Sequence, residues 1–310
     1  MNIKSKVREF KKSMKPTVRE LRFMLSRLKD SPLSIMGVTI LAFFVAVAIL
    51  APILAAPTGE DPYRMPHEGW SAIPKPPDSK HIFGTTSRQY DIYYGCVWGT
   101  RTAFRVGIEV VGVALLISLA LGTISGYYGG IVDEIVMRFT DIIYAFPGLI
   151  LAMALVVAFG RSLDSVLLAL VLVGWPTYTR VIRAEVLKVK QEDYIEAAKS
   201  IGCSDLRVIT KHVLPNAIYT TLIMASLDIG AIVLTAAALS FLGLGAGESY
   251  ADWGQLISNS RGYLTGTYAD PLAYWHTYTI PGVFIFTFVL GWNLLGDAFR
   301  DILDPTIRRR

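Results

Sequence analysis

Two cysteines and four histidines in 310 residues leave few groups for metal or redox chemistry. Neither Cys96 nor Cys203 sits in a CxxC pair or near a histidine cluster, which argues against a disulfide framework and a zinc site. His67, His81, His212 and His276 are scattered singly and carry no metal expectation. No GxxxxGK loop followed by Ser or Thr is present, so the chain has no such cradle for ATP phosphates. HExxH and GxSxG are missing as well, and an enzyme reading has no constellation to stand on. Charge is also scarce, at 18% of residues against 53% hydrophobic.

What remains is apolar length. Mean hydropathy is +0.45. Six stretches are long enough to cross a hydrocarbon core, which takes about 20 helical residues. They lie near Ser34–Leu54, Arg105–Ser125, Thr140–Phe159, Leu163–Ile182, Ala217–Phe241 and Thr277–Leu295. None alternates with a period of two, as a membrane β-barrel strand does over about ten residues. Helices satisfy their own backbone in lipid, so an all-α membrane protein with six transmembrane helices is expected.

Basic residues set an orientation. With the N-terminus inside, the cytoplasmic segments hold ten Lys/Arg in residues 1–30, one at Arg138, seven from Arg180 to Lys211 and four after Leu295, against eight outside. Both termini are therefore expected in the cytoplasm, and Cys96 and Cys203 fall on opposite sides of the membrane. The asymmetry accounts for the net charge of +5 without a nucleic-acid partner. The basic run 1–30 is too long for a signal-peptide n-region, and the apolar run after it exceeds an h-region of about 7–15 residues, so it reads as an uncleaved topology anchor. The expected order is a basic cytoplasmic segment 1–30, a first membrane helix 31–54, an extracytoplasmic loop 55–104, a five-helix core 105–305 and a basic tail 306–310.

One polar segment interrupts the apolar core. Glu192–Pro215, EDYIEAAKSIGCSDLRVITKHVLP, reads as two short amphipathic helices. Tyr194, Ala197, Ala198 and Ile201 fall at i, i+3, i+4 and i+7. Gly202 suits the left-handed position that closes a helix, and Ser204 suits the next N-cap. Leu206, Ile209, Thr210 and Val213 repeat the spacing, and Pro215 is expected to stop the run. By spacing alone such a hairpin either packs on its own bundle or presents an apolar face to a partner.

The residues themselves resemble the EAA signature of ABC-importer permeases. Glu196-Ala197-Ala198, Gly202 and Leu214-Pro215 carry it, with His212 where most of the family has an aliphatic residue. Asp193-Tyr194, His212 and Asn216 are similar to the form found in peptide-type permeases. His81, Phe83-Gly84-Thr85, Asp91, Gly99 and Arg101 resemble the segment leading into the peptide-family core, although Thr86 replaces the usual Asp and Gln89-Tyr90 replaces Gly-Arg. Leu239 to Gly245, Asp252-Trp253-Gly254-Gln255, and the run from Asn293 to Asp304-Pro305 extend the likeness, which covers about Ser31 to Pro305. Ala236 departs from it, standing where relatives often carry Glu.

The resemblance implies a permease subunit of a peptide-type ABC importer, of type I architecture. No cofactor is expected in this chain; ATP and Mg belong to partner subunits. Those partners are a second homologous permease, two cytoplasmic ABC ATPases, an extracytoplasmic substrate-binding protein and the lipid membrane. Tyr194, Glu196, Ala197, Ala198, Ile201, Gly202, Leu214 and Pro215 would form the ATPase-coupling site, with Tyr194, Ala197, Ala198 and Ile201 as its buried contact.

Asp228 lies within the fifth span, where a carboxylate costs about 2.5–3.5 kcal/mol and so faces the bundle interior or water. It reads either as a polar point on the substrate path or as a hydrogen bond between helices. Pro147 and Pro176 are expected to kink the third and fourth spans. Trp253, Tyr263, Tyr268, Tyr274 and Trp275 are expected as interfacial anchors. The alternative class, a stand-alone secondary transporter, calls for coupling-ion carboxylates and repeated halves. The residues do not select among dipeptides, oligopeptides, oligosaccharides and nickel complexes as substrate.

Overall fold

A computed structural model describes residues 31–69, 71–267, 270 and 272–303. The basic segment 1–30, Tyr268, Asp304-Pro305 and the tail 306–310 lie outside the described residues. Among those described, the chain is helical, with three isolated antiparallel bridges, Arg64–Tyr250, His67–Tyr90 and Thr85–Asp91.

Helix α1, Pro32–Leu54, starts on a Ser31 cap with proline in its first turn, where the missing N–H costs nothing. Helix α2, Ile92–Tyr128, starts on Asp91, whose carboxylate accepts from the Tyr94 N–H at 2.8 Å. Helices α3, Gly130–Tyr144, and α4, Gly148–Phe159, follow. Ser162 caps α5, Leu163–Lys190, accepting from the Ser165 N–H at 3.1 Å. The polar hairpin holds α6, Asp193–Ser200, α7, Asp205–Val208, a π-helical turn, Ile209–Val213, and α8, Leu214–Ala217. Helix α9, Tyr219–Phe241, a short α10, Trp253–Asn259, and α11, His276–Leu303, complete the fold.

Five of these helices, α1, α2, α5, α9 and α11, are long and apolar enough to cross a membrane; the count is six if α3 and α4 form one bent span. The kink expected at Pro147 is present in that pair, as a full break of the third span. The two helices meet at 89° across Ala145–Pro147, and the 12 residues of α4 reach only about 18 Å at 1.5 Å per residue. Pro147, the N-cap of α4, marks the break, whereas α5 is one unbroken helix through the buried Pro176. The expected boundary at 104/105 falls inside α2. With 37 residues that helix runs about 55 Å, beyond a hydrocarbon core of about 30 Å.

Among the described residues, helices α2 and α5 pack most extensively on each other. Ser118, Gly122 and Gly126 recur every four residues on α2 and let the two backbones close. A Cβ on Gly122 would lie 2.7 Å from the Thr179 carbonyl, and one on Gly126 2.9 Å from that of Arg183. Ser118 Oγ donates to the Trp175 carbonyl at 2.7 Å, so the small-residue stripe also supplies an interhelical bond.

Two apolar cores result. One gathers Phe44, Trp98, Trp253 and Phe288, with Phe44–Phe288 ring centroids 5.2 Å apart and Trp253–Phe288 5.5 Å apart. Both buried indoles find acceptors: Trp98 Nε1 donates to Ala55 O at 2.9 Å and Trp253 Nε1 to Cys96 O at 3.0 Å. Trp253 is therefore a core residue, 2% exposed, and not the interfacial anchor expected from its neighbours. The other core joins Tyr127, Tyr178, Ile182 and Val186 to the hairpin.

Candidate coupling site

The hairpin begins where α5 ends, and its first helix has only eight residues. Nothing that short holds in water by propensity alone, so tertiary burial must fix it. Ile195, 1% exposed, and Ala198, 7% exposed, point into the bundle with Val208 and Val213. Burying one such aliphatic side chain contributes about 1.5–3 kcal/mol.

This resolves the expected docking face into two. Tyr194, Ala197 and Ile201 are exposed, Ile201 at 82%, and so is Leu206 at 72%. Ala198 departs from the expected partner contact because its methyl is already spent on the chain's own core. A helix admits both 194/197/201 and 195/198 as faces, and here the second packs inward against Val208 and Val213. Ile195 was readable as an i, i+3 partner of Ala198 but stood outside the expected set. Glu196 is exposed, as its position on the helix required.

The turn between the helices follows the residues closely. Helix α6 ends in a Schellman closure: Gly202 N–H donates to Lys199 O at 2.9 Å and Cys203 N–H to Ala198 O at 3.1 Å. Gly202 sits at φ +84°, as a helix-closing glycine should. Ser204 occupies the N-cap position of α7 without a side-chain capping bond. Pro215 does not stop the run as expected. It lies in the first turn of α8, directly after the π-helical turn in which Leu214 N–H reaches back to Ile209 O. That wider turn lets the chain stay helical through a residue with no N–H of its own. Leu214 is half-buried and Pro215 exposed.

Asp228 lies on α9 beside Tyr178 of α5, whose phenol donates to its carboxylate. Tyr178 is 3% exposed and Asp228 half-buried, so the pair joins α5 to α9.

The segment before α2 forms a compact cap. His81 Nδ1 lies 2.7 Å from Asp91 Oδ2, and Gln89 is buried at φ +64° with its amide donating to Ile73 O at 2.8 Å. Gln89 stands where the resemblance has glycine, and its positive φ is the backbone conformation that glycine adopts freely. Among the described residues no group of three or more His, Cys, Asp or Glu could hold a metal ion.

Comparison with known proteins gives two matching families. Residues 118–309 match the binding-protein-dependent transport system inner membrane component, and residues 21–77 match the N-terminal membrane domain of oligopeptide transport permease C. The dipeptide transport system permease protein of Alkalihalophilus pseudofirmus is 37% identical over 93% of this chain and 90% of its own length. A probable D,D-dipeptide transport permease of Escherichia coli is 37% identical over 90% and 89%. The oligopeptide transport system permease protein of Bacillus subtilis is 32% identical over 91% and 88%. Among solved structures, an inward-facing methionine ABC transporter aligns over 67% of this chain and 96% of that chain, with a TM-score of 0.53 and 19% identity, a likeness of fold.

Proposed function

We propose the following mechanism for this chain, which belongs to the family of binding-protein-dependent transport system inner membrane components. The chain is the permease subunit of an ATP-driven importer and forms half of a translocation path. A second, homologous permease supplies the other half. The cargo is a peptide, delivered by an extracytoplasmic binding protein. This chain hydrolyses nothing; ATP and Mg act on two cytoplasmic ATPase subunits.

Both termini and the Glu192–Pro215 hairpin lie on the cytoplasmic side in this reading, in keeping with the positive-inside bias. The hairpin docks in a groove of an ATPase subunit, and closure of the ATPases pushes it. Tyr194, Ala197, Ile201 and Leu206 make the contact, and Ala198 with Ile195 transmits it to the bundle. The single observation that carries this reading is the exposure of Ile201 and Leu206, two large apolar side chains on either side of a glycine-closed turn.

The test is purification of the tagged chain from native membranes. Ile201→Glu and Leu206→Glu change exposed residues and should leave insertion and yield intact while the ATPases are lost. Retention of the ATPases by both variants at normal yield would overturn the docking face.

A further inference from the structure

We propose that Tyr127 is a positioning residue that passes hairpin movement to α2. The proposal rests on the docking reading above and adds the route by which the movement leaves the hairpin.

Tyr127 closes the last turn of α2 and is 4% exposed. Its hydroxyl donates to Asp205 Oδ1 of α7 at 2.6 Å, across 78 residues of chain. The Lys199 ammonium of α6 stands 5.0 Å from its ring centroid and that of Lys190, at the end of α5, 5.6 Å. Lys190 Nζ also donates to the Tyr127 carbonyl at 2.5 Å. One side chain at the end of α2 is thus held by both helices of the hairpin and by the helix that leads into it.

These contacts differ in kind from the rest of the hairpin's attachment. Ile195, Ala198, Val208 and Val213 bind the bundle through apolar burial, which is non-directional and tolerates sliding. A charge-assisted hydrogen bond fixes distance and angle. Cation–π contacts within about 6 Å fix position over a ring face. A displacement of α6 and α7 therefore reaches α2 through Tyr127 with its direction preserved. Helix α2 is suited to carry it onward, because it runs without a break to Ile92 at the far core.

The experiment uses the whole importer in lipid nanodiscs. Backbone hydrogen–deuterium exchange is compared with and without ATP plus vanadate. In the wild type, ATP should change exchange in both Glu192–Pro215 and α2. Tyr127→Phe keeps the ring and removes the hydroxyl, and Asp205→Ala removes the acceptor. In each, the hairpin should still respond and the response of α2 should be lost. Asp205→Asn retains a neutral acceptor oxygen and should restore part of the α2 response lost in Asp205→Ala, whereas equal loss in both would overturn the role of the hydrogen bond. A response of α2 that persists in Tyr127→Phe and Asp205→Ala would overturn this proposal and leave the docking reading standing. A wild-type hairpin that ignores ATP would overturn both.

Discussion

Gln89 and Ile73 are joined by a hydrogen bond that accompanies an unfavourable backbone. The Gln89 amide donates to the Ile73 carbonyl at 2.8 Å while Gln89 itself is held at φ +64°. A non-glycine residue there costs about 1–2 kcal/mol, and an ordinary hydrogen bond contributes about 0.5–1.5 kcal/mol net. Gln89→Ala keeps the first cost and loses the bond to the exposed Ile73, so a loss of about 1 kcal/mol is expected in detergent unfolding. Gln89→Gly removes the strain and loses the bond, and should fall between wild type and Gln89→Ala. Thermal melts of the three proteins decide it; a glycine variant no more stable than the alanine variant would refute the strain argument.

Arg183 grips Asp133 with two parallel bonds, Nε to Oδ1 and a terminal nitrogen to Oδ2, both at 2.5 Å. Ser125 Oγ also donates to Asp133, and Arg180 holds Asp141 at 2.5 Å farther along α3. Two arginines of α5 therefore fasten α3, whose Ile131, Ile135 and Phe139 are exposed. The Arg183 and Asp133 side chains are 31% and 20% exposed, so solvent screens part of the interaction. Arg183→Ala should loosen α3 by about 1–3 kcal/mol, the range of a charge-assisted bond. Arg183→Lys should recover only part of it, since lysine lacks the fork. Hydrogen exchange in α3 measures both, and equal protection in wild type and Arg183→Ala would remove the clamp.

Much of this fold was legible in residue patterns, and the exceptions share a cause. Gly202 and Ser204 were readable because local backbone chemistry alone dictates a helix stop and start. Pro147 marked the place of the bend before α4 but not its 89° size, because the run from Thr140 to Phe159 is apolar on both sides of it and hydropathy records composition, not direction. The start of α2 at Ile92 was hidden because its first turns are buried by contacts from distant segments, including Met65 and Trp253. The split of the hairpin into an inward Ile195–Ala198 face and an outward Tyr194–Ala197–Ile201 face likewise depends on tertiary burial, to which helical spacing is blind.

Asp252 supplies a pH-dependent term outside the spans. It caps α10 by accepting from Gly254 N–H at 2.8 Å, and it accepts from Ser240 as well. Burial pushes its carboxyl above the usual range, while the hydrogen bonds from Ser240 and from the Gly254 and Gln255 amides pull it partly back. A raised folded-state value means that its contribution is full below the unfolded value and is lost as pH rises through the folded one. Asp252→Asn keeps an acceptor for the cap and removes the charge. Its melting temperature should therefore gain on wild type as pH rises from acid toward neutrality. Asp252→Ala should lose about 1 kcal/mol of capping at every pH. A difference between wild type and Asp252→Asn that stays flat across that range would contradict the burial argument.

Gly202 separates the backbone requirement of the hairpin from the requirement of its surface. A Cβ there would meet no atom within 4 Å, so a substitution acts through φ +84° and not through a clash. Asn and Asp enter the left-handed region several-fold more readily than other side chains, and β-branched residues are true outliers there. Gly202→Asn should therefore keep the turn, the ATPases and near-normal uptake. Gly202→Asp keeps a tolerable backbone but adds a charge between Ile201 and Leu206, at the proposed docking face. It should insert normally, lose its grip on the ATPases and uncouple ATP hydrolysis from uptake. Gly202→Val should disorder the hairpin itself, detectable as raised hydrogen exchange in α6 before any ATPase is added. Uptake and ATPase recovery across the three variants test the order, and normal uptake by Gly202→Asp at normal expression would show that the exposed face between Ile201 and Leu206 does not carry the coupling.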